Sequence, residues 1–100
     1  MARKLAPIHP GEILREEFLL PMALTGYGVA RACGVPRTRI ERLMREETVM
    51  TADTALRLGR YFGTTPAFWM NLQTQYDLEV AQDSSATDIA NIKPIRSKAA

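Results

Sequence analysis

Apolar residues recur at helical spacing in five separate stretches of the chain, and no stretch alternates convincingly as a half-buried strand would. In the first, Ile13, Leu14 and Phe18 share one face while Glu12, Arg15, Glu16 and Glu17 share the other. Pro10 and Gly11 open this stretch and Pro21 closes it, which predicts a helix over about 10–20. His9 stands at its N-cap with Pro10 first inside the helix, and Glu12 is placed to reach back in capping-box fashion. Thr25 caps a second helix over 26–33, ended by Gly34, which supplies the left-handed conformation of a tight turn. Pro36 fits the first position of a third helix running to about Arg45.

Thr51 caps a fourth helix, with Asp53 near its positive end and Ala55, Leu58, Gly59 and Phe62 on one face; Gly63 closes it. Thr65 caps a fifth, with Pro66 at its first position and Trp69, Leu72, Tyr76 and Val80 as its apolar stripe. From Asp83 the composition turns to Ser84, Ser85, Ala86, Thr87 and Asp88, and Pro94 interrupts the isoleucines that follow. A frayed or extended, flexible tail is expected there. The pattern therefore predicts an all-α protein: an N-terminal arm over 1–9, a five-helix domain over 10–82 and a tail over 83–100.

The second and third helices, joined by about three residues, have helix-turn-helix spacing. Such a pair crosses closely, so it needs a small residue at the crossing, a glycine in the turn and inward apolar residues in the second helix. Ala30, Gly34, Ile40 and Leu43 meet these demands, with Val29, Cys33 and Val35 adding apolar packing. Anchoring Ile40 and Leu43 inward puts Thr38, Glu41, Arg42 and Arg45 on the opposite surface, with Arg37 at the exposed helix start.

Charge sharpens this picture through its distribution. The whole chain carries only +2, yet between Arg31 and Arg45 five arginines face Glu41 alone, a local surplus of +4. An arginine-rich helix face is by itself an ordinary solvated surface; inside a helix-turn-helix it is expected to enter the major groove. Arg37 and Arg42 can each present a guanidinium fork to guanine, Thr38 can touch a thymine methyl or a phosphate, and Glu41 can accept from cytosine N4. Arg39 and Arg45 toward the flanks are expected at phosphates, with the backbone amides near Thr25 to Tyr27.

Composition removes several other classes. With 46% hydrophobic and 24% charged residues the chain is an ordinary globular one. At 100 residues it has a modest core that a homodimer interface would supplement. Cys33 is the lone cysteine, so no intrachain disulfide forms and a reducing cytoplasm fits. The greasiest run, Phe18 to Leu24, is broken by Pro21 and too short to span a bilayer, and no membrane partner is expected. One histidine without a cluster of further ligands offers no metal site, no glycine-rich phosphate loop suggests a cofactor, and no nucleophile with a paired base suggests an enzyme. Trp69, Phe68 and Tyr76 read as core or dimer packing rather than a base-stacking platform.

The chain resembles the HigA family of antitoxins, a branch of the Xre-type, lambda-repressor-like helix-turn-helix proteins. The motifs that carry the resemblance begin with Ile8-His9-Pro10-Gly11-Glu12-Ile13-Leu14, then Gly34-Val35-Pro36-Arg37 with Ile40. The stretch from Thr51 to Gly59 follows, then Pro66 with Phe68-Trp69, Asn71-Leu72-Gln73 and Tyr76-Asp77-Leu78, so that about 8–81 are covered. The resemblance implies a bacterial protein that dimerises through its C-terminal helices, binds a palindromic operator and represses its own toxin-antitoxin operon. Its partner would be a HigB-type, RelE-like toxin, an mRNA-cleaving ribonuclease. Carried over, the DNA role falls on Arg37, Thr38, Glu41 and Arg42, and the dimer-interface role on Trp69, Leu72 and Tyr76. Such a protein is cytoplasmic, and nucleoid-associated when on DNA. The family usually has glycine followed by basic residues where this chain has Glu46, Glu47 and Thr48. The alternatives are a solitary regulator without a toxin, and a toxin-binding module with weak DNA binding.

Overall fold

Side-chain caps start four of the five helices where the sequence places them. The computed structural model describes residues 6–95; the expectations for 1–5 and 96–100 lie outside the described residues. Helix α1 spans Pro10–Ile13, with His9 extended before it and the imidazole Nδ1 accepting from Gly11 N at 2.8 Å. The imidazole makes this cap, and no bond from the Glu12 carboxylate to His9 joins it among the described residues. Thr25 caps α2 (Gly26–Cys33), Thr51 caps α4 (Ala52–Phe62) and Thr65 caps α5 (Pro66–Ala90), each hydroxyl accepting a first-turn amide. Helix α3 spans Arg37–Met44, and Pro36 stands one residue outside it in an extended conformation rather than at its first turn.

Two elements depart from the expected pattern. After Ile13 the chain does not continue as a regular α-helix: Leu14–Leu19 is π-helical, with Leu20 N donating to Arg15 O and Leu24 N to Leu19 O, five residues back. This wider winding brings Leu14 and Leu19 to the same side, and both are buried. Helix α5 runs to Ala90 through a kink at Ser85, so 83–90 is helical where a frayed or extended segment was expected. Apart from half-buried Ser85, that stretch is exposed.

One core joins the π-helical segment to α2–α5: Leu14 and Leu19, Val29 and Ala30 from α2, Ile40 and Leu43 from α3, Ala55 and Leu58 from α4, Trp69 from α5, and Met50 between α3 and α4, with Ile13 of α1 packed against it. Trp69 is 0% exposed. Its ring lies 5.0 Å from that of Phe18, and its Nε1 donates to Thr64 Oγ1 at 2.8 Å. The expected dimer-interface role of Trp69 is therefore corrected: α5 packs across α4 and α1, which turns the indole into the chain's own core. Leu72 is half-buried, and half-buried Tyr76 receives the His9 ring edge-on at 4.8 Å. Val80, expected in the same apolar stripe, is exposed.

The sequence reading also missed Gln73, which is buried. Its Oε1 accepts from Met50 N at 2.6 Å and its Nε2 donates to Asp77 at 2.8 Å, tying the α3–α4 connection to α5. A glutamine inside an apolar stripe is the one signal that could have marked it, since a buried amide must find partners. Among the described residues no helix is long and apolar enough to cross a membrane.

Candidate nucleic-acid interface

The α2–α3 pair is held by its turn. Gly34, at φ 70°, ends α2 in the left-handed region, and Val35 N returns to Ala30 O at 3.0 Å while Gly34 N returns to Arg31 O. With Ile40 and Leu43 fully inside, the α3 side chains opposite them face solvent. Arg37, Arg42 and Arg45 side chains are 60, 55 and 57% exposed, and Thr38 is exposed beside them. Among the described residues, neither backbone nor a neighbouring helix covers this ridge.

Its electrostatics are less one-sided than the arginine count suggests. Arg37 Nε lies 3.3 Å from Glu41, Arg39 Nη1 is 2.5 Å from Asp53, and Glu47 takes Arg45 Nε at 3.0 Å and Arg42 Nε at 3.8 Å. The Arg45 hydrogen bond, with help from the Arg42 charge, lowers the Glu47 carboxyl from its ordinary value. Arg39 and then Arg57 lower that of Asp53 in the same way. Arg57 also donates to Cys33 O at 2.8 Å, so the Asp53 pair clamps the end of α2, the start of α3 and the start of α4 together. Burial pushes the Cys33 thiol up, which suits a small apolar packing residue rather than a nucleophile.

The remaining expected site residues, Thr25 and Tyr27, flank Gly26 at the start of α2, where a Cβ would meet Glu41 Cγ of α3 at 3.2 Å. The Thr25 hydroxyl is occupied by Gly28 N at 3.0 Å, and exposed Tyr27 accepts from Arg31 Nη1 at 3.2 Å. Arg15, expected from the sequence only to face outward, donates to Met44 O and pairs with Glu46 at 3.3 Å, fastening the end of α3 to the π-helical segment.

No sequence-family model matches the chain. It is 53% identical over 83 residues to virulence-associated protein I of Dichelobacter nodosus, covering 82% of this chain and 77% of that one. Antitoxin HigA-1 of Vibrio cholerae is 36% identical over 92 residues, covering 92% of this chain and 87% of that one. The structure of Pseudomonas aeruginosa antitoxin HigA with the higBA promoter superposes with a TM-score of 0.86 at 44% identity, covering 90% of this chain and 99% of that one. The chain belongs to the HigA family of helix-turn-helix proteins. That family is not enzymatic, and the five-helix, lambda-repressor-like fold expected from the sequence is the one observed.

Against the HigA pattern, the acidic residues after α3 take on a structural meaning. Glu46 N returns to Leu43 O and Glu47 N to Arg42 O, both at 2.9 Å, a Schellman ending that requires a left-handed residue at Glu46. Its φ is 63°, a conformation that costs a non-glycine residue about 1 kcal/mol. The exposed Arg15 pair offsets only part of that. Glu46→Gly should therefore raise the melting temperature by about 5 °C; a fall in a thermal unfolding scan would mean that the ion pair outweighs the strain.

Proposed function

We propose that this chain is a homodimeric repressor that binds a palindromic operator at its own promoter and neutralises a HigB-type toxin. The observation that carries the reading is the solvent-facing ridge of Arg37, Thr38 and Arg42 on a helix pinned from beneath by Ile40 and Leu43. A helix of this size and charge fits the major groove, where the two arginines read guanine and Thr38 reads a thymine methyl or a phosphate. Arg39, Arg45 and the α2 start near Thr25 and Tyr27 take phosphates. In a dimer paired through the C-terminal helices, the interface falls on Leu72, Tyr76 and the exposed apolar residues beyond them, Leu78 and Val80. The two α3 helices then meet half-sites about 34 Å apart.

Electrophoretic shift with duplex from the DNA upstream of its own gene, beside a scrambled duplex, tests this reading. The upstream duplex should bind preferentially, with log affinity falling by about 0.9 per neutralised phosphate per decade of salt. A flat salt response, or equal binding to both duplexes, would remove the operator reading. The carboxylates paired with the ridge favour a second reading, a toxin-binding module with weak DNA affinity. In that case the chain would bind the toxin and shift neither duplex.

A further inference from the structure

Every arginine on α3 that faces solvent has a carboxylate of its own chain beside it, and the edge at which two of these contacts occur is informative. Glu41 approaches Arg37 at Nε, 3.3 Å away, and Glu47 approaches Arg42 at Nε, 3.8 Å away. A guanidinium can fork through its Nε side or through its two terminal nitrogens. Both contacts are ion-pair distances rather than hydrogen bonds, so they place the carboxylate charge toward the Nε side, and the terminal pair, which suits guanine O6 and N7, faces away from it. The same carboxylates cancel charge that any phosphate would otherwise attract. Arg45 shares Glu47 at 3.0 Å, and Arg39 is held by Asp53 at 2.5 Å. Between Arg31 and Asp53 the five arginines face four carboxylates, so the local surplus falls to +1.

We propose that Glu41 and Glu47 are positioning residues for specificity: they hold Arg37 and Arg42 end-on for guanine and hold down sequence-independent affinity for phosphate. The proposal rests on α3 being the base-reading helix. It gives Glu41 a different task from the cytosine contact expected from sequence, because its carboxylate is engaged with Arg37. Phosphate contacts carry no sequence information, so weakening them while orienting the base readers widens the gap between operator and bulk DNA. Orientation before binding also lessens the side-chain entropy lost when the fork closes on guanine.

The test uses the full chain and measures fluorescence anisotropy on two duplexes, the DNA upstream of its own gene and a scrambled duplex of equal composition. Glu47→Gln keeps the size of the side chain and removes its charge. It should raise affinity for the scrambled duplex about five-fold, the effect of one unit charge near a phosphate, and leave the upstream duplex nearly unchanged. It should also flatten preference at the same base pair that Arg42→Ala flattens, without moving the thermal midpoint, because the Glu47 side chain is exposed. Glu41→Gln should act likewise through Arg37. An equal rise on both duplexes would reduce the carboxylates to plain repulsion of DNA and overturn the proposal, as would no change on either. If the unaltered chain fails to distinguish the two duplexes, the operator reading fails first and takes this inference with it.

Discussion

Replacing Gly11 by alanine is expected to destabilise the protein by about 3 kcal/mol, lowering its melting temperature by on the order of 15 °C. On helix propensity alone the change would help, since alanine is about 1 kcal/mol better than glycine within a helix. The structure reverses that sign. A Cβ on Gly11 would lie 1.8 Å from Leu43 O and 2.9 Å from Leu43 C, helix-backbone atoms on the inward side of α3 that cannot swing aside as a side chain could. Relief would require α1 to back away from α3, pulling Leu14 from the core and loosening the Arg15 link to Met44 O. Thermal or urea unfolding reads the effect, and an unchanged or raised midpoint would show that α1 does not seat against α3 as described. Since Gly11 contacts the end of α3, the helix proposed to read bases, the variant should also lose affinity for its upstream DNA at temperatures where it remains folded.

Arg42→Ala should weaken binding to the upstream duplex by about 1–3 kcal/mol, or roughly 10- to 100-fold, and relax preference at one base pair. Arg42 lies opposite the inward-facing Ile40 and Leu43, and among the described residues its ion-pair partner is Glu47. Removal leaves Glu47 paired with Arg45 at 3.0 Å, so no carboxylate is stranded and the thermal midpoint should hold. Loss of affinity without loss of stability separates a DNA-reading side chain from a structural one. Uniform weakening on every sequence would instead move Arg42 to a phosphate. Thr38→Ala, by comparison, should cost less, since a hydroxyl and a methyl offer one contact where the guanidinium fork offers two.

Much of the fold is legible in the sequence. Thr25, Thr51 and Thr65 each cap the helix expected of them, His9 caps the first, and Gly34 and Gly63 end α2 and α4 with positive φ. The inward placement of Ile40 and Leu43, and hence the outward face of α3, also followed from periodicity. The misses have a shared origin. Trp69 read as surface or core with equal ease because an aromatic stripe looks the same whether it meets its own chain or a second copy. The π-helical turn at Leu14–Leu19 escaped because a 3.6-residue period was imposed on a stretch where packing selects another. The helical continuation over 83–90 escaped because serine, threonine and aspartate favour turns only as a weak tendency.

The order of helices, their caps and the apolar side of each were determined by the sequence itself, because these depend on residues within three or four positions of one another. What only the tertiary structure decided is which distant groups meet: Gly11 beneath Leu43 O, Arg15 on Met44 O, Asp53 between Arg39 and Arg57, and the imidazole of His9 against Tyr76. Those meetings depend on the angles and depths at which helices pack, fixed by the fit of the whole core rather than by any local run of residues. The charge on α3 shows the difference: its arginines could be counted along the chain, but their pairing with Glu47 and Asp53 emerged only when the chain beyond Met44 was folded back beside them.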